Sequence, residues 1–305
     1  MKYVIQKLTS FVFTLLLISI ITFFSLNILP GDSAVLILGT EGDPMQLDIL
    51  REQLGVNQHP VLRYCKWLFH MIKGDLGVSV RYGVDVASLV LDALPVTLLL
   101  AIMAVGLALA ISVPLGVSCA VKQGTLLESA GLIITELGMA IPAFWLGILL
   151  INLFSLKLNW LPPAGYTSII SLILPACALA IPRAAMLTRV VRSNMLAALQ
   201  QNYMRTARSK GLPQKTILYK HALKNASITV CSVAGIHLTQ LLGGTIVIEQ
   251  VFSLPGVGQL LLNAVLHRDL PLVQGIVMIA ACLILLVNLI FDLVLAVLDP
   301  RIRFE

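Results

Sequence analysis

Residues 202–225 read NYMRTARSKGLPQKTILYKHALKN, and they lie in a basic segment that decides the orientation of the chain. From Arg183 to Asn225 there are nine Lys and Arg residues and no Asp or Glu. Long apolar runs flank this segment, and a basic, acid-free loop between apolar spans is typical of the cytoplasmic side of a membrane protein. We therefore predict that this part of the chain faces the cytoplasm.

The overall composition also indicates a membrane protein. Of the 305 residues, 58% are hydrophobic and only 12% are charged, whereas a soluble domain has roughly 25% charged residues. A chain with so little charge cannot cover a surface that faces water, so it must face lipid. The net charge of +6 comes from basic residues at membrane-loop positions. We therefore predict contact with the lipid bilayer and no nucleic acid partner.

Six apolar segments are long enough to cross a bilayer, which requires ~20 residues. They are residues 9–29, 94–120, 130–156, 169–193, 228–248 and 272–298. Several contain proline, including Pro114, Pro142 and Pro182. We expect kinks rather than helix ends at these positions, because neighbouring helices can satisfy the freed backbone groups. The predicted fold is an all-α polytopic membrane protein with six transmembrane helices.

The charge balance of the loops predicts the topology. The hydrophilic insert after the first helix has five basic and eight acidic residues between positions 30 and 92, a net charge of −3. This contrast places the insert outside and both termini inside. The predicted organisation is an N-terminal transmembrane helix (1–29), an extracytoplasmic insert (30–93), a five-helix core (94–298) with a cytoplasmic loop at 194–226, and a cytoplasmic tail (299–305).

Three short stretches on the predicted outer side have helical or apolar patterns. Residues 47–54 have apolar residues at helical spacing, and residues 64–69 form an aromatic and basic run. Either could form a short helix along the outer membrane face or pack as a loop. The apolar stretch 259–266 is too short to span, and it is predicted to be an outer-face or re-entrant helix.

The cytoplasmic loop contains a pattern for one short helix. Tyr203 to Lys210 can form two helical turns, Gly211 supplies a C-cap residue, and Pro213 stops the helix just beyond. The loop therefore presents a short basic helix. Either a partner receives that helix or it lies on anionic lipid.

Common catalytic and nucleotide-binding motifs are absent from the sequence. There is no G-x-x-x-x-G-K-[ST], no H-E-x-x-H and no G-x-S-x-G, and the five histidines never pair at metal-ligand spacing. The chain is therefore not expected to be an enzyme or to bind a cofactor of its own.

Thr206–Leu212 resembles the coupling-loop motif of bacterial ABC importer permeases, in the version used by the dipeptide, oligopeptide and nickel branch. Further matches follow in family order and spacing over essentially all 305 residues. They are Gly31-Asp32, Gly74-Asp75-Leu-Gly77-Val-Ser79, Leu94-Pro95-Val-Thr97, Ile141-Pro142-Ala-Phe144-Trp145-Leu-Gly147, Trp160-Leu-Pro162-Pro-Ala-Gly165-Tyr166, Leu242-Gly243-Gly244-Thr-Ile-Val-Ile-Glu249, Leu254-Pro255-Gly256-Val-Gly258, Arg268-Asp269 and Leu298-Asp299-Pro300-Arg301-Ile-Arg303. Two departures, Ser209 and Leu270, leave the resemblance to the first of two paired permeases intact.

This resemblance implies the partners and the coupling residues. A homologous second permease, cytoplasmic ATPase subunits and an extracytoplasmic binding protein would complete the transporter in the bacterial inner membrane. ATP would be handled by the ATPase partner, which agrees with the missing phosphate-binding loop. The residues that the resemblance assigns to ATPase coupling are Tyr203, Arg205, Thr206, Ala207, Arg208, Lys210 and Gly211.

Four polar residues inside the apolar segments are candidates for the substrate path, because ionisable groups at membrane depth are costly. They are Glu136, His237, Asn288 and Asp292. The alternative is hydrogen bonding between helices or a position near the membrane surface. The sequence around His237 resembles nickel permeases, and imidazole suits Ni(II). His237 is thus a candidate metal contact, with core packing as the alternative.

The predicted function is that of a permease subunit of an ATP-driven importer. Nickel, a metal chelate or small peptides are the candidate substrates, with an inclination to nickel that depends on His237 and its neighbours alone. The peptide importer is the alternative. Two other classes stay open: an ATP-independent secondary transporter, although no inverted repeat is visible, and a membrane scaffold without transport activity.

Overall fold

A computed structural model of the protein describes residues 2–28 and 59–298, which are helical apart from short connections and one isolated β-bridge between Val78 and Asp85. In chain order the helices are α1 (Lys2–Ile28), α2 (Pro60–Ile72), α3 (Val86–Val121), α4 (Leu126–Ala140), α5 (Ala143–Leu150), α6 (Ile173–Leu199), α7 (Asn202–Ser209), α8 (Gln214–Thr216), α9 (Leu223–Gly244), α10 (Ile246–Val251), α11 (Val257–Leu266) and α12 (Leu270–Leu298). Two π-helical segments and one 3-10 turn connect some of them: Ile151–Lys157 after α5, Ile217–Ala222 between α8 and α9, and Ile169–Leu172 before α6.

The membrane spans confirm the predicted fold class. Within the described residues, five helical segments are long and apolar enough to cross a membrane, and the bent pair α4–α5 gives a sixth if it counts as one span. The five are Ile5–Leu26, Val86–Val121, Ile169–Leu199, Gln214–Gly244 and Leu270–Leu295. Each of the six predicted spans overlaps one of these segments.

The second span begins earlier than predicted. Helix α3 starts at Val86, whereas the sequence predicted a start at Leu94, so Pro95 lies inside the helix. Val86, Val90 and Ala93 are buried at helical spacing. Their burial stabilises the additional turns, and the proline interrupts only one backbone hydrogen bond.

The fifth span also begins earlier than predicted. The helical segment runs from Gln214 to Gly244, whereas the prediction gave residues 228–248. Lys215, Lys220 and Lys224 made the first part resemble a loop, but they lie on the cytoplasmic end of a continuous helical segment. Most of the predicted loop at 194–226 is therefore helical.

Pro142 breaks the third span rather than kinking it, so this part of the prediction is wrong. Helix α4 ends at Ala140, α5 begins at Ala143, and the two axes differ by 97°. Ile141 has the extended conformation (φ −80°, ψ 121°) that residues before a proline favour. Pro182, in contrast, lies inside α6 as expected.

The chain divides into two compact units. The first contains residues up to Pro95 together with Leu260–Leu285, and the second contains Val96–Gln259 together with the residues from Leu286 onward. The first part of the predicted extracytoplasmic insert, including residues 47–54, and the predicted tail at 299–305 lie outside the described residues. Their boundaries stay predictions.

In the first unit, α2 packs against α1 through aromatic rings. The ring centroid of Phe23 lies 5.5 Å from that of Tyr64 and 5.4 Å from that of Trp67. The hydroxyl groups of Ser19 and Tyr64 are 2.8 Å apart. The aromatic and basic run at 64–69 is thus helical, and its aromatic residues hold α2 against the first span.

In the second unit, the membrane helices surround a dense apolar core. Leu100, Leu172, Leu241 and Phe252 are almost completely buried in it. Helices α3 and α6 approach closely at Gly116, where an added Cβ atom would lie 2.6 Å from the Cβ of Val191. Small residues at such contacts allow dispersion forces to hold membrane helices together.

Candidate functional site

The short helix α7 forms where the sequence predicted it. Residues 200–201 join it to α6, and residues 210–213 join it to α8. At its C-terminus the amide of Lys210 donates to the carbonyl oxygen of Thr206 at 3.1 Å, and the amide of Gly211 donates to that of Arg208 at 2.9 Å. Gly211 has φ +69° and no atom within 4 Å of an added Cβ. The requirement for glycine is therefore conformational rather than steric.

Helix α7 has a buried face and an exposed basic face. Met204 and Ala207 are buried and belong to an apolar cluster that also contains Met195 and Ile217. The other residues that the resemblance assigns to coupling are exposed: Tyr203, Arg205, Thr206, Arg208, Lys210 and Gly211. Ala207 is thus placed for packing within the chain, whereas the arginines are available to a partner.

Helix α7 has a hydrogen bond to α9 on one side and a cavity on another. The side-chain amide of Asn225 donates to the hydroxyl of Tyr203 at 2.7 Å, which ties α7 to the start of α9. Beside the helix lies a cavity of ≈ 320 Å³, lined by Arg208, Gln123 and Leu199 among others. Helix α7 is therefore anchored by its buried face and by Tyr203, and it borders free space on another side.

Two of the three arginines of α6 pair with acids of α4. The Nε of Arg192 donates to Oε1 of Glu128 at 2.8 Å. Nη1 of Arg189 lies 3.0 Å from Oε1 of Glu136, and both side chains are more than half exposed. Glu136, a candidate for the substrate path, thus forms an exposed ion pair between two helices.

The candidates on the last span lie on a helix that packs against α9. Asn288 is exposed and Asp292 is partly buried. Between them in sequence, Phe291 contacts Gly235, where an added Cβ atom would lie 2.7 Å from the ring. This contact places the last helix against the one that carries His237.

His237 is buried in α9 with only 6% of its surface exposed. Within the described residues neither ring nitrogen has a hydrogen-bond partner that satisfies distance and angle. Val233, one turn before His237, packs against an apolar cluster that contains Ala184, the residue after Arg183. The charge of Arg183 and the side chain of Gln240 both act on the imidazole. The described part of the chain contains no group of three or more His, Cys, Asp or Glu side chains that could hold a metal ion. The role of His237 as a metal contact stays a prediction, and the nearby cation opposes it.

Arg183 was not predicted as a site residue and was counted only among the cations that set the topology. It lies deep inside the span Ile169–Leu199, beside Pro182. A cation in the middle of an apolar run was visible in the sequence. The sequence did not show that it lies near His237, which follows more than fifty positions later on another helix.

A buried carboxylate, Glu249, holds the turn after α10. Its Oε1 accepts hydrogen bonds from the hydroxyls of Thr97 and Thr245, both at 2.8 Å. Its Oε2 accepts one from the amide of Gln259 at 2.9 Å. An added Cβ on Gly258 would lie 2.8 Å from Oε2, so glycine permits this close approach.

A second buried carboxylate, Asp269, performs a similar task in the other unit. Its Oδ2 accepts from the hydroxyl of Ser79 at 2.5 Å and from the amide of Arg81 at 3.1 Å. Its Oδ1 accepts from the amide of Leu272 at 3.2 Å, in the first turn of α12. The sequence pattern included Glu249 and Asp269 only as parts of family motifs. It did not predict that their carboxylates hold distant segments together.

Two protein-family descriptions and several permeases of known systems match this chain. Residues 112–304 match the family described as "Binding-protein-dependent transport system inner membrane component", and residues 1–101 match "Binding-prot-dependent transport system membrane comp, N-term". The oligopeptide transport system permease protein AppB of Bacillus subtilis is 37% identical over 313 residues, which cover 99% of each chain. The glutathione transport system permease protein GsiC of Salmonella paratyphi A is 35% identical over 305 residues, which cover 100% of both chains.

Among solved structures, the inward-facing MetNI methionine ABC transporter is similar in fold. It superposes with a TM-score of 0.56 at 19% sequence identity, covering 69% of this chain and 96% of that chain. At this identity the likeness concerns the fold alone. The family match over most of the chain and the relatives of 35–37% identity show that the protein belongs to the multi-pass inner-membrane permeases of binding-protein-dependent ABC importers, in which a separate subunit hydrolyses ATP.

Proposed function

We propose that this permease translocates small peptides and that α7 is the element through which the ATPase drives it. The observation that carries the coupling role is the division of α7 into a buried apolar face and an exposed basic face. The buried face, with Met204 and Ala207, fixes the helix to the permease. The exposed face, with Arg205 and Arg208, is free to enter a cleft on a partner.

The short connections on both sides of α7 support a mechanical role. Two residues separate it from α6 and four separate it from α8. The hydrogen bond between Asn225 and Tyr203 adds a third link, directly to α9. A displacement of α7 by the ATPase is therefore passed to two membrane helices with little slack.

The peptide substrate is supported by the relatives and by the surroundings of His237. The permeases AppB and GsiC carry the names of oligopeptide and glutathione systems, and they support a peptide substrate better than the nickel that His237 suggested. The guanidinium of Arg183 beside His237 repels metal cations. An external binding protein would deliver the peptide, and a homologous second permease would complete a heterodimeric membrane part.

The coupling role is tested with two substitutions at Gly211. We expect Gly211→Asp to abolish transport while membrane insertion persists, because it places a negative charge at the C-terminus of α7 and within the basic face. Gly211→Asn is the matched control, because asparagine tolerates positive φ and adds no charge. We expect it to retain most of the uptake. Peptide uptake that persisted in the Asp variant would contradict the coupling role.

The substrate is tested by uptake in a deletion strain that is complemented with this chain and its partner subunits. A radiolabelled dipeptide is compared with radioactive nickel, free and chelated by histidine. We expect dipeptide uptake to require the chain and nickel uptake to be unchanged by its deletion. Loss of nickel uptake alone would overturn the peptide assignment.

A further inference from the structure

Arg183 lies near the middle of a membrane span and pairs with no acidic side chain of the described residues. It is fourteen residues after Ile169 and sixteen before Leu199, the two ends of the span. With a rise of about 1.5 Å per residue, each end is about 20 Å or more away. Within the described part of the chain Arg183 has no ion pair, and its Nη1 donates to the carbonyl oxygen of Leu179 at 3.0 Å. The two other arginines of α6 both have carboxylate partners.

Hydrogen-bonding capacity is left unused at this point. The buried Nε of Arg183 and both ring nitrogens of His237 have no partner among the described residues. Buried polar groups nearly always have partners, because an unpaired one has lost its hydrogen bonds to water without replacement. Arg183 is partly exposed, whereas His237 is 6% exposed. The unpaired nitrogens themselves are buried, so a molecule that binds them has to enter beside the partly exposed side chain of Arg183.

The chemistry of the pair selects an anion. A guanidinium presents N–H donors in a fork that matches the two oxygens of a carboxylate. The imidazole of His237 can add an N–H donor, and Gln240, its polar neighbour on the same helix, can add another. A metal cation would be repelled by Arg183, and a neutral group would leave its charge uncompensated.

We propose that Arg183 and His237 transiently bind the carboxylate of a peptide while it crosses the membrane. The inference rests on the proposed peptide substrate and names the group that is recognised. Every peptide with a free C-terminus carries a carboxylate, whatever its side chains. A site that contacts only this group therefore accepts many sequences. Selectivity among peptides is left to the binding protein.

The experiment measures binding to the permease itself. The chain is assembled with its second permease and ATPase subunits in nanodiscs without binding protein, and the affinity for a radiolabelled dipeptide is measured. The C-terminal amide of the same dipeptide serves as an unlabelled competitor. In the wild type we expect the amide to compete at least about tenfold more weakly than the free acid, because it cannot form charge-assisted hydrogen bonds.

The variants separate recognition from folding. Arg183→Gln is expected to weaken dipeptide binding about tenfold or more and to remove the preference for the acid over the amide. Arg183→Lys keeps the charge and should retain the preference, while His237→Asn should weaken binding less than Arg183→Gln. Size-exclusion chromatography of each complex reports whether the subunits assemble.

Several results would overturn the inference. One is an unchanged preference for the acid in Arg183→Gln, and another is equal affinity for acid and amide in the wild type. A third is failure of Arg183→Gln to assemble where Arg183→Lys assembles, since this would assign the guanidinium to an acid of the second permease. Failure of the peptide function is distinguishable, because the deletion strain would then take up the dipeptide normally.

Discussion

The two sides of the protein use charge in opposite ways. On the predicted outer side, Glu249 and Asp269 are almost completely buried. Each carboxylate accepts three hydrogen bonds, some from residues far away in the sequence and some from residues within ten positions. On the predicted cytoplasmic side, Arg205 and Arg208 of α7 are exposed. The outer acids bind groups of the same chain and stabilise the fold, whereas the inner arginines are exposed and available to a partner.

This difference separates residues that hold the fold from residues that we propose to couple the permease to the ATPase. A buried acceptor with several donors cannot be removed without leaving those donors unpaired. An exposed cation loses little internal energy when it is replaced. Substitutions on the outer side should therefore reduce stability, and those on α7 should reduce coupling while the fold is retained.

The largest effect on stability is expected at Glu249. Glu249→Ala leaves two threonine hydroxyls and the amide of Gln259 without their acceptor, so the free energy of unfolding should fall by about 3 kcal/mol. Glu249→Gln keeps one acceptor oxygen and should cost about 1 kcal/mol. Thermal unfolding of the purified protein in detergent measures both. Equal melting temperatures for Glu249→Ala and the wild type would show that the hydrogen bonds of Glu249 do not stabilise the fold.

A somewhat smaller loss is expected at Asp269. Asp269→Ala removes the acceptor of Ser79 and of two backbone amides, and it should lower the free energy of unfolding by about 2 kcal/mol. Ser79→Ala is the matched partial variant, because it removes one of the three donors. It should cost about 1 kcal/mol. A larger loss for Ser79→Ala than for Asp269→Ala would show that the hydroxyl acts elsewhere.

On α7 we expect the reverse pattern. Arg205→Ala and Arg208→Ala should each change the free energy of unfolding by less than about 0.5 kcal/mol, and each alone should reduce peptide uptake less than Gly211→Asp does. Met204→Ala, on the buried face of the same helix, should cost about 2–3 kcal/mol. These values come from unfolding in detergent and from uptake in cells. Severe instability of either arginine variant would break the contrast between the two sides.

The smallest effect concerns Asp75 in the outer loop. A hydrogen bond from the amide of Gly77, and next the side chain of His70, lower the pKa of Asp75 below its usual value. The stabilisation is therefore present above the pKa of Asp75 in the unfolded chain and is lost as the pH falls through its folded value. Because Asp75 is exposed, it should amount to less than about 0.5 kcal/mol. The difference in melting temperature between wild type and Asp75→Asn should shrink from about pH 6 to about pH 3.

Local chemistry in the sequence was sufficient for the spans and for α7. The apolar runs predicted the five long spans and the bent pair α4–α5, since their length and composition are properties of the chain itself. The end of α7 at Gly211 was predicted because the backbone conformation there favours glycine in any surroundings. The break at Pro142 was missed, because many membrane helices tolerate a proline and only the neighbouring contacts decide between a kink and an end.

Pairings across long sequence separations could not be predicted. Thr97 and Glu249 are 152 positions apart and yet share a hydrogen bond. Arg183 and His237 become neighbours only when α6 packs against α9. The residue type and its position in a span suggested His237 as a site residue, but the sequence did not indicate the nearby Arg183. The nearby charge of Arg183 changed the candidate ligand from a metal cation to an anion.

The two helices that leave α7 act as lever arms of different length. From Leu199 to Arg183 there are sixteen residues, an arm of about 24 Å at 1.5 Å per residue. A tilt of α6 by about 5° at its cytoplasmic end displaces Arg183 by about 2 Å, which exceeds the range over which a hydrogen bond survives. The helical segment that contains α9 begins at Gln214 and reaches His237 after twenty-three residues, through the π-helical segment Ile217–Ala222. If α7 couples the permease to the ATPase as proposed, a small tilt there is enough to move the guanidinium relative to the imidazole and to release a carboxylate that both of them bind.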